Sequence, residues 1–320
     1  MNTKFLCQLR RLLAVSAFAS LLAACGNGSG EGGAAGGKPR IVATTTMVAD
    51  LVREIGGDRI ELAALMGPGV DPHTYKASSG DIAALRRADG IFYNGLMLEG
   101  RMAELFERQA EAGKPVFALG DSLPESDLIH PAEAGAHPDP HIWLDPALWA
   151  KCAESAGEEL AKLDPAGAAD YRARAAEVAA RYRAAADWAK ARIAEVPETS
   201  RVLVTSHDAF NYFGRAFGIE VVGVQGISTA TEAGMADIVH TVDLIKARGI
   251  KAIFVETSVS KATIERISKD SGAKIGGELF SDALGKPGDR RKLSDGTEAD
   301  VGTWEGMFRF NVDTAVAALR

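Results

Sequence analysis

The sequence predicts an α/β protein of two Rossmann-like lobes, each a mainly parallel sheet flanked by helices, joined by one long rigid helix. Three observations predict it. Short apolar runs bounded by Gly, Pro or Asp alternate with stretches whose apolar residues recur at helical spacing. That alternation is played out once before and once after a central segment. The central segment itself is dominated by Ala, Arg and Glu, all strong helix formers. Repeated strand–helix alternation implies crossover connections and therefore parallel pairing.

In the first half, "RIVATTT", "RIELAALM", "GIFYNG" and "KPVFAL" read as strands. "MVADLVREIG", "SGDIAALRRAD", "RMAELFERQAEAG" and "PALWAKCAESAGEELAKL" read as the helices between and after them. In the second half the strands are "RVLVTS", "IEVVGVQG", "IKAIFVETS" and "AKIGGELF". The helices are "AFNYFGRAFG", "MADIVHTVDLIKARG", "KATIERISKDSG" and a closing "WEGMFRFNVDTAVAALR". The central run opens with Asp164 as N-cap and Pro165 at the first helical position, and it stops at Pro197. A helix of that length spans roughly 45 Å. A flexible linker would be rich in Gly and Ser instead. The folded part therefore divides into an N-terminal lobe over 39–163, a linking helix over 164–197 and a C-terminal lobe over 198–320.

The first 24 residues read as a secretory signal: Lys4, Arg10 and Arg11 precede an apolar stretch too short to span a bilayer. The stretch ends in Leu22-Ala23-Ala24-Cys25, which resembles a bacterial lipobox, with Cys25 as the lipidated first mature residue. Residues 25–38 then form a Gly-rich tether. With Cys7 removed and Cys25 lipidated, Cys152 is left alone and no internal disulfide is possible. A net charge of -7, with no basic stripe, excludes non-specific nucleic-acid binding.

Six histidines remain to be placed. His73 in "GVDPHTY", His207 in "VLVTSHDAF" and Asp282 in "GGELFSDALG" each follow a strand. In an open α/β sheet the carboxyl ends of strands are where ligands bind. His141, in "HPDPHIWLDP", lies in a loop able to reach the same edge. Three imidazoles and one carboxylate suit Zn(II) and neighbouring divalent ions, whereas Ca(II) or Mg(II) would call for oxygens. Asp71 and Asp208, beside His73 and His207, are candidates for orienting those rings from behind. His130 and His137 read as solvated loop residues and His240 as an ordinary helical one. Imidazole must be neutral to bind a metal, so affinity is expected to fall below about pH 6.

"MGPGVDPHTYKASSGDIAALRRADGIFYNGLMLEGRM", "DPHIWLDP", "VTSHDAFNYFGRAFGI" and "LFSDALG" together resemble the cluster 9 (TroA-like) substrate-binding lipoproteins of bacterial ABC transporters for zinc and manganese. The resemblance runs over essentially all of 39–320. It implies an extracytoplasmic, membrane-anchored monomer, not an enzyme, that captures one Zn(II) or Mn(II). His73, His141, His207 and Asp282 would hold the ion, and an ABC permease with its ATPase would receive it. Two departures bear on the metal. The manganese-specific adhesin-type branch carries Glu where this chain has His207, and zinc-devoted members carry a long His-rich loop near 120–140 that is short and Pro-rich here. The rival readings are a zinc-dependent hydrolase, with Glu256 the only obvious spare acid, and a surface adhesin stabilised by its metal.

Overall fold

The computed structural model describes residues 37–131 and 137–320. The signal segment, Cys25 and the tether as far as residue 36 lie outside the described residues. In the first lobe β1 (Arg40–Ala43), β2 (Glu61–Ala64), β3 (Gly90–Tyr93) and β4 (Val116–Ala118) form one parallel sheet in the order β2-β1-β3-β4. Ile41 of β1 pairs with Leu62 on one side and Gly90 on the other, which fixes the register of three strands at one residue. The helices are α1 (Thr46–Gly56), α2 (Ser79–Arg87), α3 (Ala103–Glu111) and α4 (Pro146–Leu163). Their starts are written locally. Thr45 caps α1, Ser78 and Asp81 form a capping box on α2, and Asp145 accepts from Ala147 and Leu148 at the head of α4.

The second lobe follows α5 (Ala168–Ile193). It contains the parallel pairs β5 (Val202–His207) with β6 (Glu220–Gln225), and β7 (Ala252–Glu256) with β8 (Lys274–Leu279). Strands β5 and β7 lie side by side. Helices α6 (Asn211–Phe217), α7 (Met235–Arg248) and α8 (Ala262–Ser271) connect them. A short antiparallel hairpin, β9 (Arg290–Lys292) and β10 (Glu298–Asp300), precedes the closing α9 (Trp304–Leu319). The sequence reading does not anticipate this hairpin. Its strands are three residues long, charged throughout except for the buried Ala299, and only Asp295-Gly296, with Gly296 at φ 85°, marks the turn.

Strand alternation decides where each side chain goes. Ile41, Ala43 and Phe92 face one core, and Val42 and Ile91 face the opposite side beneath α2 and α3. In the second lobe Leu203, Ala252 and Phe254 face that same first core, while Val202, Val204, Ile253 and Val255 pack on α7 and α8. One apolar core therefore runs unbroken from β1 in the first lobe to α9 in the second. Helix α5 is its spine. Tyr171, Ala175, Val178, Ala179, Tyr182, Ala185, Ala189 and Ile193 form its buried face, against α1 and α4 toward one end and α9 toward the other. Tyr182 meets the Trp304 ring at 4.1 Å between centroids. At 26 residues, α5 is about 39 Å long.

Asp164 stands at the N-cap of a 3-10 turn, Pro165–Gly167, with Pro165 at its first position; the turn leads into α5, whose own cap position is Gly167. The Asp164 carboxylate also accepts from Arg59 Nη2 at 2.7 Å and Tyr171 Oη at 2.9 Å.

The α4–α5 contact depends on Gly157, since a Cβ there would sit 2.5 Å from Ala175 Cβ and 3.3 Å from the Tyr171 carbonyl. Gly157→Val is expected to destabilise the fold by about 1–3 kcal/mol, as overpacking does in a filled core. A lowered urea midpoint checks this; an unchanged midpoint would show that the two helices part without cost.

Candidate metal centre

Every donor sits at the carboxyl end of a strand or in a loop beyond one. His207 is the last residue of β5 and Glu256 the last of β7. Asp282 follows the end of β8, and His73 follows β2 through the Gly67-Pro68-Gly69 turn. His141 heads the 3-10 turn Ile142–Leu144 that leads into α4. The four expected residues are brought together, with one donor atom from each, all within 4.8 Å of one another. His141 Nε2 lies 3.3 Å from both His73 Nε2 and His207 Nε2, and 3.4 Å from Asp282 Oδ1. His207 Nε2 is 3.3 Å from Asp282 Oδ2. His141 and His207 are fully buried, Asp282 is 1% exposed and His73 is 6% exposed.

Two further carboxylates set the ring orientations. Asp139 Oδ1 accepts the backbone N–H of His141 at 2.9 Å and stands 2.7 Å from its Nδ1. Glu256 Oε1 accepts the backbone N–H of His207 at 2.9 Å, and Oε2 is 2.6 Å from that ring's Nδ1. Each Nε2 is thereby turned toward the centre, as in carboxylate–histidine–metal arrangements. Asp71 and Asp208 had been the candidates for this work. Asp71 Oδ1 accepts the backbone N–H of His73 at 2.9 Å, not a ring hydrogen. Asp208 follows β5, hydrogen bonds through its backbone N–H to the Gly226 carbonyl, and lines the cleft outside the centre. The signal for Asp139 was the repeated tripeptide Asp-Pro-His, at 71–73 and again at 139–141. Glu256 carried the same strand-end signature as His207.

The remaining histidines lie elsewhere. His130 pairs with Glu125 at 2.7 Å, and His240 is exposed on α7. His137 lines an open cleft of about 800 Å³ that leads to His73.

Charge in the centre alternates. Burial disfavours a charged imidazole at His141, but Asp139 and Asp282 outweigh it and push the ring up to about 9. At His207 burial is likewise overcome, here by Asp282 and Glu256, and the ring is driven well above its ordinary range. Burial also opposes ionisation of Asp282, yet the two cationic rings hold its carboxyl well below the usual value. His73 goes the other way: burial, opposed by Asp282 but reinforced by the two other imidazoles, lowers it to about 4. His141 and His207 both favour their protonated forms, which draws the metal-free centre toward two extra protons around one carboxylate. A divalent cation that displaces both protons leaves the net charge unchanged.

This moves the pH window upward from the sequence expectation. Protons compete for rings whose affinity for them is raised, so metal affinity climbs with pH through neutrality, with His141 giving up its proton at about 9 and His207 well above the ordinary imidazole range. Calorimetry in buffers of different ionisation enthalpy is expected to find about two protons released per ion at pH 7. Binding with no proton release would contradict the charge assignment. Glu256→Gln keeps the acceptor for the His207 backbone but removes the charge behind its ring. It is expected to weaken metal binding by about 10–100-fold with the circular-dichroism spectrum intact.

A family model described as zinc-uptake complex component A, periplasmic, matches residues 41–318. The manganese-binding lipoprotein MntA of Bacillus subtilis (strain 168) is 40% identical over 315 residues, covering 97% of this chain and 99% of its own length. The zinc-binding protein TroA of Treponema pallidum (strain Nichols) is 39% identical over 291 residues, covering 89% and 90%. The solved structure of the periplasmic TroA of Treponema pallidum matches with a TM-score of 0.82 at 39% identity, over 88% of this chain and 99% of that one. Two α/β lobes on one helical spine, a buried site of three imidazoles and a carboxylate, and these matches lead to one conclusion: the chain belongs to the zinc-uptake component A family of extracytoplasmic, membrane-anchored, non-catalytic proteins that capture a divalent transition metal for an ABC permease.

Proposed function

We propose that His73, His141, His207 and Asp282 are the ligands of one transported ion, that the ion is Zn(II) in preference to Mn(II), and that lipidated Cys25 tethers the carrier near its cognate permease and ATPase. The donor set carries the metal assignment: three imidazole nitrogens and one carboxylate oxygen converge in one buried cluster, and zinc outcompetes manganese at nitrogen-rich sites. Relatives of nearly equal identity are named for manganese and for zinc, so similarity alone does not choose between them.

A hydrolase would need an open coordination position and a free general base. On the proposed ligand set the protein supplies four donors of its own, and Glu256 lies 2.6 Å from the His207 ring. A metal that only stabilised the fold is disfavoured by the apolar core that runs continuously through both lobes.

The test is competition on a chain starting at Gly26, stripped with chelator and offered equimolar Zn(II) and Mn(II), with bound metal read by mass spectrometry. One equivalent of zinc is expected, and His207→Glu is expected to shift occupancy toward manganese. Manganese as the main occupant of the unaltered chain would overturn the zinc preference. No tightly held metal, or unfolding on stripping, would overturn the carrier reading.

A further inference from the structure

The four donors are not held alike. Around His141, His207 and Asp282 the lobes are bonded to each other directly. Asn211 Nδ2 donates to Asp139 Oδ2 at 3.1 Å and Tyr212 Oη donates to the Asp139 carbonyl at 2.9 Å. Trp143 Nε1 donates to the Ser281 carbonyl, next to Asp282, at 2.8 Å. His73 has no such backing. Among the described residues its ring makes no hydrogen bond or ion pair with a carboxylate, and it is the donor that lines the open cleft.

The segment carrying His73, residues 65–81, makes one hydrogen bond to the second lobe among the described residues. Thr229 Oγ1 donates to Asp71 Oδ2 at 2.6 Å. The same carboxylate accepts the His73 backbone N–H at 2.9 Å and Thr74 Oγ1 at 2.9 Å. Asp71 therefore clamps the backbone on which His73 is mounted and ties it across the cleft. Thr229 belongs to the largely exposed loop between β6 and α7, which lines the same cleft through Gly226, Ile227, Ser228, Ala230 and Thr231.

We propose that Asp71 and Thr229 form a latch across the cleft mouth that sets how long the ion is retained. With the latch closed, His73 is kept on the ion. With it open, the 65–81 segment lifts away and uncovers the ion while His141, His207 and Asp282 stay in place. Asp71 is then a positioning residue acting through His73. The proposal rests on the four-ligand reading above.

The experiment loads the chain with Zn(II), mixes it rapidly with an excess of a fluorescent chelator, and measures the release rate beside the bound stoichiometry. Thr229→Val removes the hydroxyl at nearly constant volume. It is expected to release zinc about tenfold or more faster, because a hydrogen bond to a charged acceptor is lost, while still holding one equivalent. Thr229→Ser keeps the hydroxyl and is expected to match the unaltered chain. So is Thr231→Val, which alters the same loop at a side chain with no hydrogen bond among the described residues. Release from Thr229→Val at the unaltered rate would overturn the latch. Equal acceleration in Thr231→Val would also overturn it, by showing general loosening of the loop. Loss of stoichiometric binding in Thr229→Val would do the same, making the contact part of the affinity. Failure of the unaltered chain to hold zinc would instead overturn the four-ligand reading, and the latch with it.

Discussion

A carboxylate buried between two imidazoles is the interaction on which the metal centre depends. Asp282 is 1% exposed and lies 3.3–3.4 Å from ring nitrogens of His141 and His207. Each ring is backed in turn by Asp139 or Glu256, both fully buried. The five groups alternate in sign, which offsets the desolvation that an isolated buried charge would suffer. Remove any member and its neighbours are left uncompensated. The sheet edges serve this chain of charges. β5 and β7, side by side, end on His207 and Glu256, and the loop after β8 brings Asp282 to the same place.

The other half of the chain of charges comes from the opposite lobe, so the lobes must be held in register to better than a hydrogen-bond length. A hinge of two flexible strands would not do that. Helix α5 and the core continuous through it do, helped by bonds that cross between lobes. Trp304 N donates to Asp50 Oδ2, Leu284 N to Thr46 Oγ1, and Trp143 Nε1 to the Ser281 carbonyl, each at 2.8 Å. Backbone groups that are paired this way cannot be pulled apart and left dry without large cost. Wide opening of the cleft is therefore a poor route for exchanging the ion. Local movement at the exposed side is a better one.

Most of this was legible in the sequence for physical reasons. His207 ends an apolar strand, Asp282 and His73 follow strands through short loops, and a strand end in a parallel sheet has a known address. Capping residues such as Ser78 with Asp81 and Asp145 before Pro146 are local signals and read directly. What could not be read was the choice among equivalent local partners. Asp164 reads as an N-cap and is one, but nothing local shows that Arg59, over a hundred positions earlier, is folded against its carboxylate. The β9–β10 hairpin has too few residues for a period-2 pattern to register. Asp208 is next to His207 in sequence, but it follows the strand that His207 ends and lines the cleft. Glu256, on the neighbouring strand, is the residue that meets the ring.

The two Asp-Pro-His tripeptides show how one local motif can serve two ends. In both, the Asp side chain accepts the His backbone N–H at 2.9 Å, so the turn is the same. In both, the second oxygen accepts from the opposing lobe, from Asn211 at Asp139 and from Thr229 at Asp71. At 139–141 the oxygen that holds the backbone N–H also lies 2.7 Å from the histidine ring, which fixes the ring. At 71–73 that ring contact is missing, and the ring is left dependent on whether the lobes' exposed loops are engaged. A carrier must bind tightly yet let go on contact with its permease. Fixing every donor in advance would favour the first at the expense of the second. Three donors fixed by buried carboxylates and cross-lobe bonds, with a fourth held conditionally from the cleft side, keep most of the affinity in a rigid scaffold. The rate of exchange is then left to a single contact that can be broken from outside.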